Sequence, residues 1–423
     1  VSPANPNTAT AAELDAADPL ASFRTEFELP EGIYLVGNSL GALPRRARNY
    51  VNEELDRWGT VGVEGHFTGE RPWKSYHDTV THQLARLVGG HADEVAAMNG
   101  LTVNLHLLMV SFYRPTAERH KILIEDHAFP SDHFAAESQI RQRGYDPATS
   151  LITVPPRNGE ETLRTEDILA AIAEHGSELA LVMLPGVQYY TGQVLPMAEI
   201  SAAAHEVGAT VGFDLAHAIG NVEMQLHDWN VDFAAWCTYK YLNSGPGSVA
   251  GAFVHQRHVD DQSLPKLLGW WGTNPATRFK MENVFDPIPT VDSWQLSNAA
   301  ILPMAALRAS LDIIDEAGGI CTMRAKSELQ VQYLDRRLAE NLSGRVVNLS
   351  PKEMHARGCQ FALQVVSGSN QKANGREVFE ALEHARVLCD WREPDVIRVA
   401  PVPLYNSFDE IDRFVQILEE MVT

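Results

Sequence analysis

Residues 210–254 read TVGFDLAHAIGNVEMQLHDWNVDFAAWCTYKYLNSGPGSVAGAFV. Three short apolar runs lie in this stretch, at 210–214, 232–236 and 250–254. Upstream the texture repeats at 121–125, 150–154 and 179–184, with helical apolar spacing between the runs at 102–112, 133–143, 165–175 and 197–207. Gly208 stands where a left-handed residue would stop the last of these helices before the strand at 210–214. Short unbroken apolar strands alternating with longer helices predict an α/β fold: a mostly parallel sheet with helices on both faces.

Outward from this core the pattern changes. Residues 1–20 read as a flexible arm, and the run Ile33–Val36 leads into a loop, Gly37–Gly41. From Pro44, which suits a first helical position, Ala47, Val51, Leu55 and Trp58 recur at helical spacing; Tyr76, Val80, Leu84 and Leu87 repeat it. Beyond residue 298 come long helical patterns at 299–317 and 322–341, then a smaller α+β set. A final helix there opens on a capping box, Ser407 and Glu410. The expected organisation is an N-terminal arm and loop at 1–45, a large domain at 46–300 and a small C-terminal domain at 301–423.

Composition narrows the partners. The 34 basic and 55 acidic side chains give a formal net charge of −21, which a phosphate backbone or an anionic bilayer would repel. Nucleic-acid and membrane roles are therefore not expected, and an anionic ligand must be held by locally placed donors. Cys237, Cys321, Cys359 and Cys389 lie far apart, which predicts free thiols and a cytoplasmic setting. No apolar run approaches membrane-spanning length, and the first twenty residues carry no secretion-signal pattern.

The chemistry concentrates near residue 214. Asp214 ends one predicted strand and Lys240 follows the next, and ligands of parallel sheets bind beyond the carboxyl ends of strands. A lysine in the apolar run Phe233–Leu242 is one whose neutral, imine-forming amine is favoured. A carboxylate beside it could hold a protonated pyridine nitrogen. An internal Asp214–Lys240 salt bridge explains the same spacing, so the residues alone leave both readings open.

The segment 238–251, TYKYLNSGPGSVAG, resembles the lysine segment of fold-type-I pyridoxal-phosphate enzymes. The wider pattern is similar to one family among them, the kynureninases. It is carried by GNSLG (37–41), RPW (71–73), LTVNLHLL (101–108), FPSDH (129–133), GFDLAHAIG (212–220), LHDW (226–229) and RVAPVPLYNSF (398–408). The resemblance implies a fold-type-I architecture and pyridoxal 5'-phosphate as cofactor. It implies hydrolytic Cβ–Cγ cleavage of L-kynurenine or 3-hydroxy-L-kynurenine to anthranilate or 3-hydroxyanthranilate and L-alanine, in tryptophan catabolism. It further implies a homodimer with shared active sites.

Residue by residue, Lys240 matches the lysine that binds the cofactor aldehyde, Asp214 the partner of the pyridine nitrogen, and Phe129 the ring stacked on the cofactor. Asp132 matches a second carboxylate near that ring, while His217 and Tyr239 line the cofactor, Tyr239 as the proton donor. Leu101 and Thr102 open a helix whose free N–H groups suit a phosphate. Trp270 and Asn298 match residues that reach the cofactor from the neighbouring subunit, and Arg398 the clamp on the substrate α-carboxylate. His66 and Asn298, with Ser297 as a possible third, resemble the group that contacts a ring hydroxyl; an exposed loop histidine and a helix N-cap are the alternatives. Pro185 departs from relatives with serine there and has neither hydroxyl nor N–H to offer.

Other signals are weaker. Gly245–Ala250 fits a dinucleotide fingerprint but precedes a strand rather than a helix. The sixteen histidines form no H-E-x-x-H motif, so no metal is expected, and no G-x-S-x-G marks a nucleophilic serine. Another fold-type-I activity, a desulfurase or aminotransferase, and a catalytically idle protein retaining the cofactor fold remain the competing readings.

Overall fold

The predicted strands assemble into a seven-stranded sheet in a computed structural model that describes residues 5–261, 263–367, 371–372 and 374–422. Across the sheet the strands run Val95–Ala97, Gly251–Val254, Phe233–Trp236, Thr210–Asp214, Leu179–Pro185, Lys121–Glu125 and Leu151–Val154. All are parallel except Gly251–Val254, which is antiparallel to both neighbours. Val95–Ala97, three residues long, is the strand the apolar pattern does not announce.

Successive side chains of these strands enter two different cores, as the two-residue period requires. Ile122 and Ile124 join Leu105, Met109 and Ala136 on one face, while Leu123 joins Ile168, Met197 and Ile200 on the other. Gly212 leaves room for a neighbour: a Cβ there would lie 2.2 Å from the Phe233 ring. Gly208, at φ +73°, ends the preceding helix as expected. All four cysteines are free, and no helix among the described residues is long and apolar enough to cross a membrane.

A second core gathers around an antiparallel sheet in the order Val346–Asn348, Phe361–Ser367, Val396–Val399, Asp390–Arg392. Leu334 and Leu338 from helix Gly319–Leu342 and Ile411, Phe414 and Leu418 from helix Phe408–Met421 fill it. The Ser407–Glu410 capping box opens the latter helix.

The N-terminus corrects the expectation of a flexible arm. Ala11–Ala16 is a helix with its own Thr10–Glu13 capping box, and Leu14 and Leu20 are buried. Asp15 accepts hydrogen bonds from the N–H groups of Phe408 and Asp409, and Asp18 pairs with the buried Lys326 at 2.7 Å. Low hydrophobicity concealed these contacts because they are tertiary and polar. Ile33–Tyr34 then pairs in parallel with Val387–Leu388, tying the loop at 37–41 to the second core. Pro44 sits one residue before helix Arg45–Val61 instead of at its first position.

Candidate active site

Three adjacent strands, Thr210–Asp214, Leu179–Pro185 and Lys121–Glu125, end at one edge of the sheet and present Asp214, Pro185 and Glu125 to a cavity of about 460 Å³. That volume suits a small organic ligand. Lys240, just past Phe233–Trp236, enters the same cavity with His217 and Tyr239. Its Nζ lies 3.0 Å from His217 Nε2. Burial, with the positive charge of Lys240, holds His217 well below the usual imidazole range, so a neutral ring accepts the bond. Gly41 secures the lysine segment from behind: its N–H donates to Tyr239 O at 2.8 Å, and a Cβ there would meet Lys240 O at 2.3 Å.

Asp214 is buried, and its Oδ1 accepts the Ala216 N–H at 2.6 Å. Burial pushes its pKa up, while the Lys240 charge and that N–H oppose the shift. Asp132 hydrogen-bonds to it, and burial together with the charge of Asp214 drives the Asp132 carboxyl well above its ordinary range. The two carboxyls thus share a hydrogen bond in a place where burial and each other's presence disfavour a second negative charge.

Glu125 adds a third carboxyl. Burial first, and the charge of Asp214 second, raise it to about 8, against the Gln188 hydrogen bond. Because the folded pKa lies above the unfolded one, this group's contribution to stability is fully present below about pH 4.5 and lost as pH rises through about 8. Glu125→Gln should match the parent's unfolding free energy near pH 4.5 and exceed it at pH 8.5 by about a few kcal/mol, seen as a higher melting temperature at the upper pH only. Melts with the same difference at both pH values would refute a protonated Glu125.

The cavity also carries groups suited to an aromatic ligand with an anionic arm. Helix Leu101–Phe112 opens at Gly100 with no side-chain cap, leaving its first N–H groups for a ligand. Thr102 Oγ1 stands 2.8 Å from Ser131 Oγ beside them. Phe129 remains 44% exposed, edge-on to Tyr189 at 5.3 Å, although its ring is apolar. His217 Nδ1 is buried without a hydrogen-bond partner among the described residues. These are the features a pyridine ring bearing a phosphate needs, so the residues fit pyridoxal phosphate.

Of the residues expected at the site, Leu101, Thr102, Phe129, Asp132, Asp214, His217, Tyr239, Lys240 and Arg398 line this cavity together. Pro185 lines it too. Trp270, Ser297, Asn298 and His66 do not line it within the same chain. Trp270 is 44% exposed and Ser297 and Asn298 are exposed, while His66 packs edge-on against Trp73. Asn298 is not the cap of the next helix, which starts from Ala300 without a side-chain hydrogen bond. The residue pattern passes over Glu125, Tyr189 and Arg392, which also line the cavity. Glu125 ends a predicted strand as Asp214 does, and that signal could have found it; Tyr189 comes from a turn and Arg392 ends the short strand Asp390–Arg392, and neither carries a local mark.

Solved structures share this architecture. A C-DES variant with glycine covalently linked to its PLP cofactor matches with a TM-score of 0.78 at 18% identity, covering 94% of this chain and 99% of that one. The apo cysteine desulfurase from Thermococcus onnurineus NA1 matches at 0.77 and 17% identity, covering 96% and 98%. The fold is that of the fold-type-I pyridoxal-phosphate enzymes. A family model described as the kynureninase C-terminal domain matches residues 323–418. The kynureninase of Koribacter versatilis is 52% identical over 412 residues, 96% of each chain, and that of Xanthomonas campestris pv. campestris is 53% identical over 414 residues, 97% of this chain and 96% of that one. The chain belongs to the kynureninase family.

Proposed function

We propose that this protein is a pyridoxal-phosphate hydrolase that cleaves the Cβ–Cγ bond of L-kynurenine or its 3-hydroxy derivative, releasing L-alanine and the aromatic acid. The observation that carries the reading is the meeting of Asp214, Lys240 and His217 at the carboxyl edge of the sheet. When bound, the cofactor supplies an electron sink for negative charge developing on the amino-acid carbons. Lys240 is the residue that would hold the cofactor through its aldehyde, and its amine would then move the substrate α-proton. The Asp214 carboxylate would keep the pyridine nitrogen protonated, and neutral His217 orients the Lys240 amine. The N–H groups at Leu101 and Thr102 would hold the phosphate, and Phe129 would offer its apolar ring to the cofactor.

Tyr239 is the proposed acid–base group at the substrate γ-ketone. Burial raises its phenol above the ordinary range, so it enters the reaction protonated. Arg398 faces the substrate α-carboxylate.

Trp270 and Asn298 fit a homodimer in which each chain completes its neighbour's cavity. Supporting this, His66, Phe67, Phe279 and Trp270 form a continuous run of ring contacts, at centroid separations of 6.1, 5.8 and 5.3 Å. Trp58, Val63, Met281 and Val284 are also strongly exposed, an amount of apolar surface that a monomer seldom leaves to water. In that assembly His66, Ser297 and Asn298 would meet the substrate ring.

The test is steady-state assay of the purified, cofactor-loaded protein with L-kynurenine, 3-hydroxy-L-kynurenine and L-cysteine. Alanine and the matching aromatic acid are the expected products. Sulfide release from cysteine with neither kynurenine consumed would favour a desulfurase, and no turnover of any substrate would favour an idle protein.

A further inference from the structure

The two-residue period of strand Asp390–Arg392 puts Asp390 and Arg392 on one face of the small sheet, and Asp390 stands directly opposite Arg398 on the next strand. The three side chains therefore meet. Asp390 accepts from Arg398 Nε at 2.7 Å, from Arg398 Nη2 and from Ser39 Oγ. Burial alone would raise the Asp390 carboxyl, but the Arg398 hydrogen bonds outweigh it and hold the group ionised.

Counting donors shows an unexpected shortage. An arginine has five N–H groups. Arg398 gives one from Nε and one from Nη2 to Asp390, its second Nη2 hydrogen to Ser39 Oγ at 3.2 Å, and one from Nη1 to Tyr189 O. One N–H is left, whereas a forked grip on a carboxylate takes two. Arg392 has the opposite balance. Among the described residues its one hydrogen bond joins Nη2 to Asp390 Oδ2 at 3.3 Å, and its Nε is buried in the wall of the cavity with no partner. Two guanidiniums thus share one carboxylate, and the spare positive charge faces the ligand space.

We propose that Arg392 is a second carboxylate-binding residue: the substrate α-carboxylate bridges its free N–H donors and the single N–H remaining on Arg398. This rests on the reading of the ligand as an amino acid. Burial and the adjacent Arg398 charge disfavour the Arg392 cation, and an incoming anion relieves both.

The experiment compares loaded wild-type, Arg392→Gln and Arg392→Lys proteins. Binding of L-alanine and of L-alaninamide, which lacks the carboxylate, is read from the change in cofactor absorption. Wild type should prefer alanine; Arg392→Gln should lose about ten- to a hundred-fold of that preference with alaninamide affinity unchanged, and Arg392→Lys should recover part of it. With L-kynurenine the loss should fall mainly on KM. A preference for alanine unaltered in Arg392→Gln, equal weakening of both ligands, or wild type that fails to distinguish them overturns the proposal. If wild type discriminates through Arg392 but does not cleave kynurenine, the carboxylate site stands and the substrate assignment falls.

Discussion

Lys240→Ala is expected to lose at least about a thousand-fold in turnover and to lose the visible absorption that a pyridoxal aldehyde gains on joining an amine. Among the described residues, Lys240 Nζ makes one hydrogen bond, to His217 Nε2 at 3.0 Å. No other basic amine lines the cavity to take over its role. The fold should tolerate the change, since truncation leaves His217, already neutral, without that donor, and buried Asp214, which loses the neighbouring positive charge, can take up a proton. Melting temperature should therefore move little while activity disappears. A small primary amine added to the variant should restore a measurable fraction of the rate. Full activity in Lys240→Ala, or a collapse of the fold without rescue by the amine, would remove Lys240 from the proposed chemistry.

Asp214→Asn should come next in size. The asparagine keeps an oxygen for the Ala216 N–H but removes the charge that would hold the pyridine nitrogen protonated. Loss of such a placed electrostatic partner is expected to lower kcat by about a hundred- to a thousand-fold. Stability should not fall in step, because the substitution also removes a buried charge beside the Asp132 carboxyl. A variant with unchanged kcat and a much lower melting temperature would make Asp214 a structural acid only.

The legibility of the fold followed burial. Strands such as Lys121–Glu125 and Thr210–Asp214 are covered on both faces, so they appear as unbroken apolar runs and are visible without any partner. Val95–Ala97 is too short to show a period, and Ala11–Ala16 is held mainly through Leu14, the Thr10–Glu13 cap and the Asp15 contacts with a helix nearly four hundred residues away. No local window contains that information.

The site divides in the same way. Asp214 and Lys240 were recognisable because each follows a strand whose end marks the ligand edge, and the motifs carrying the family resemblance named most of their neighbours. Chain order alone determined the alternating strands and helices, the acid and amine at adjacent strand ends, and the absence of an apolar run long enough to span a bilayer. Only tertiary structure decided how charge and protons are shared. It stacked Glu125 and Asp132 against Asp214, and it engaged four of the five Arg398 donors while leaving Arg392 with unused ones. The reason is that protonation and donor supply depend on what lies within a few ångströms in space, and those neighbours come from segments that are remote along the chain.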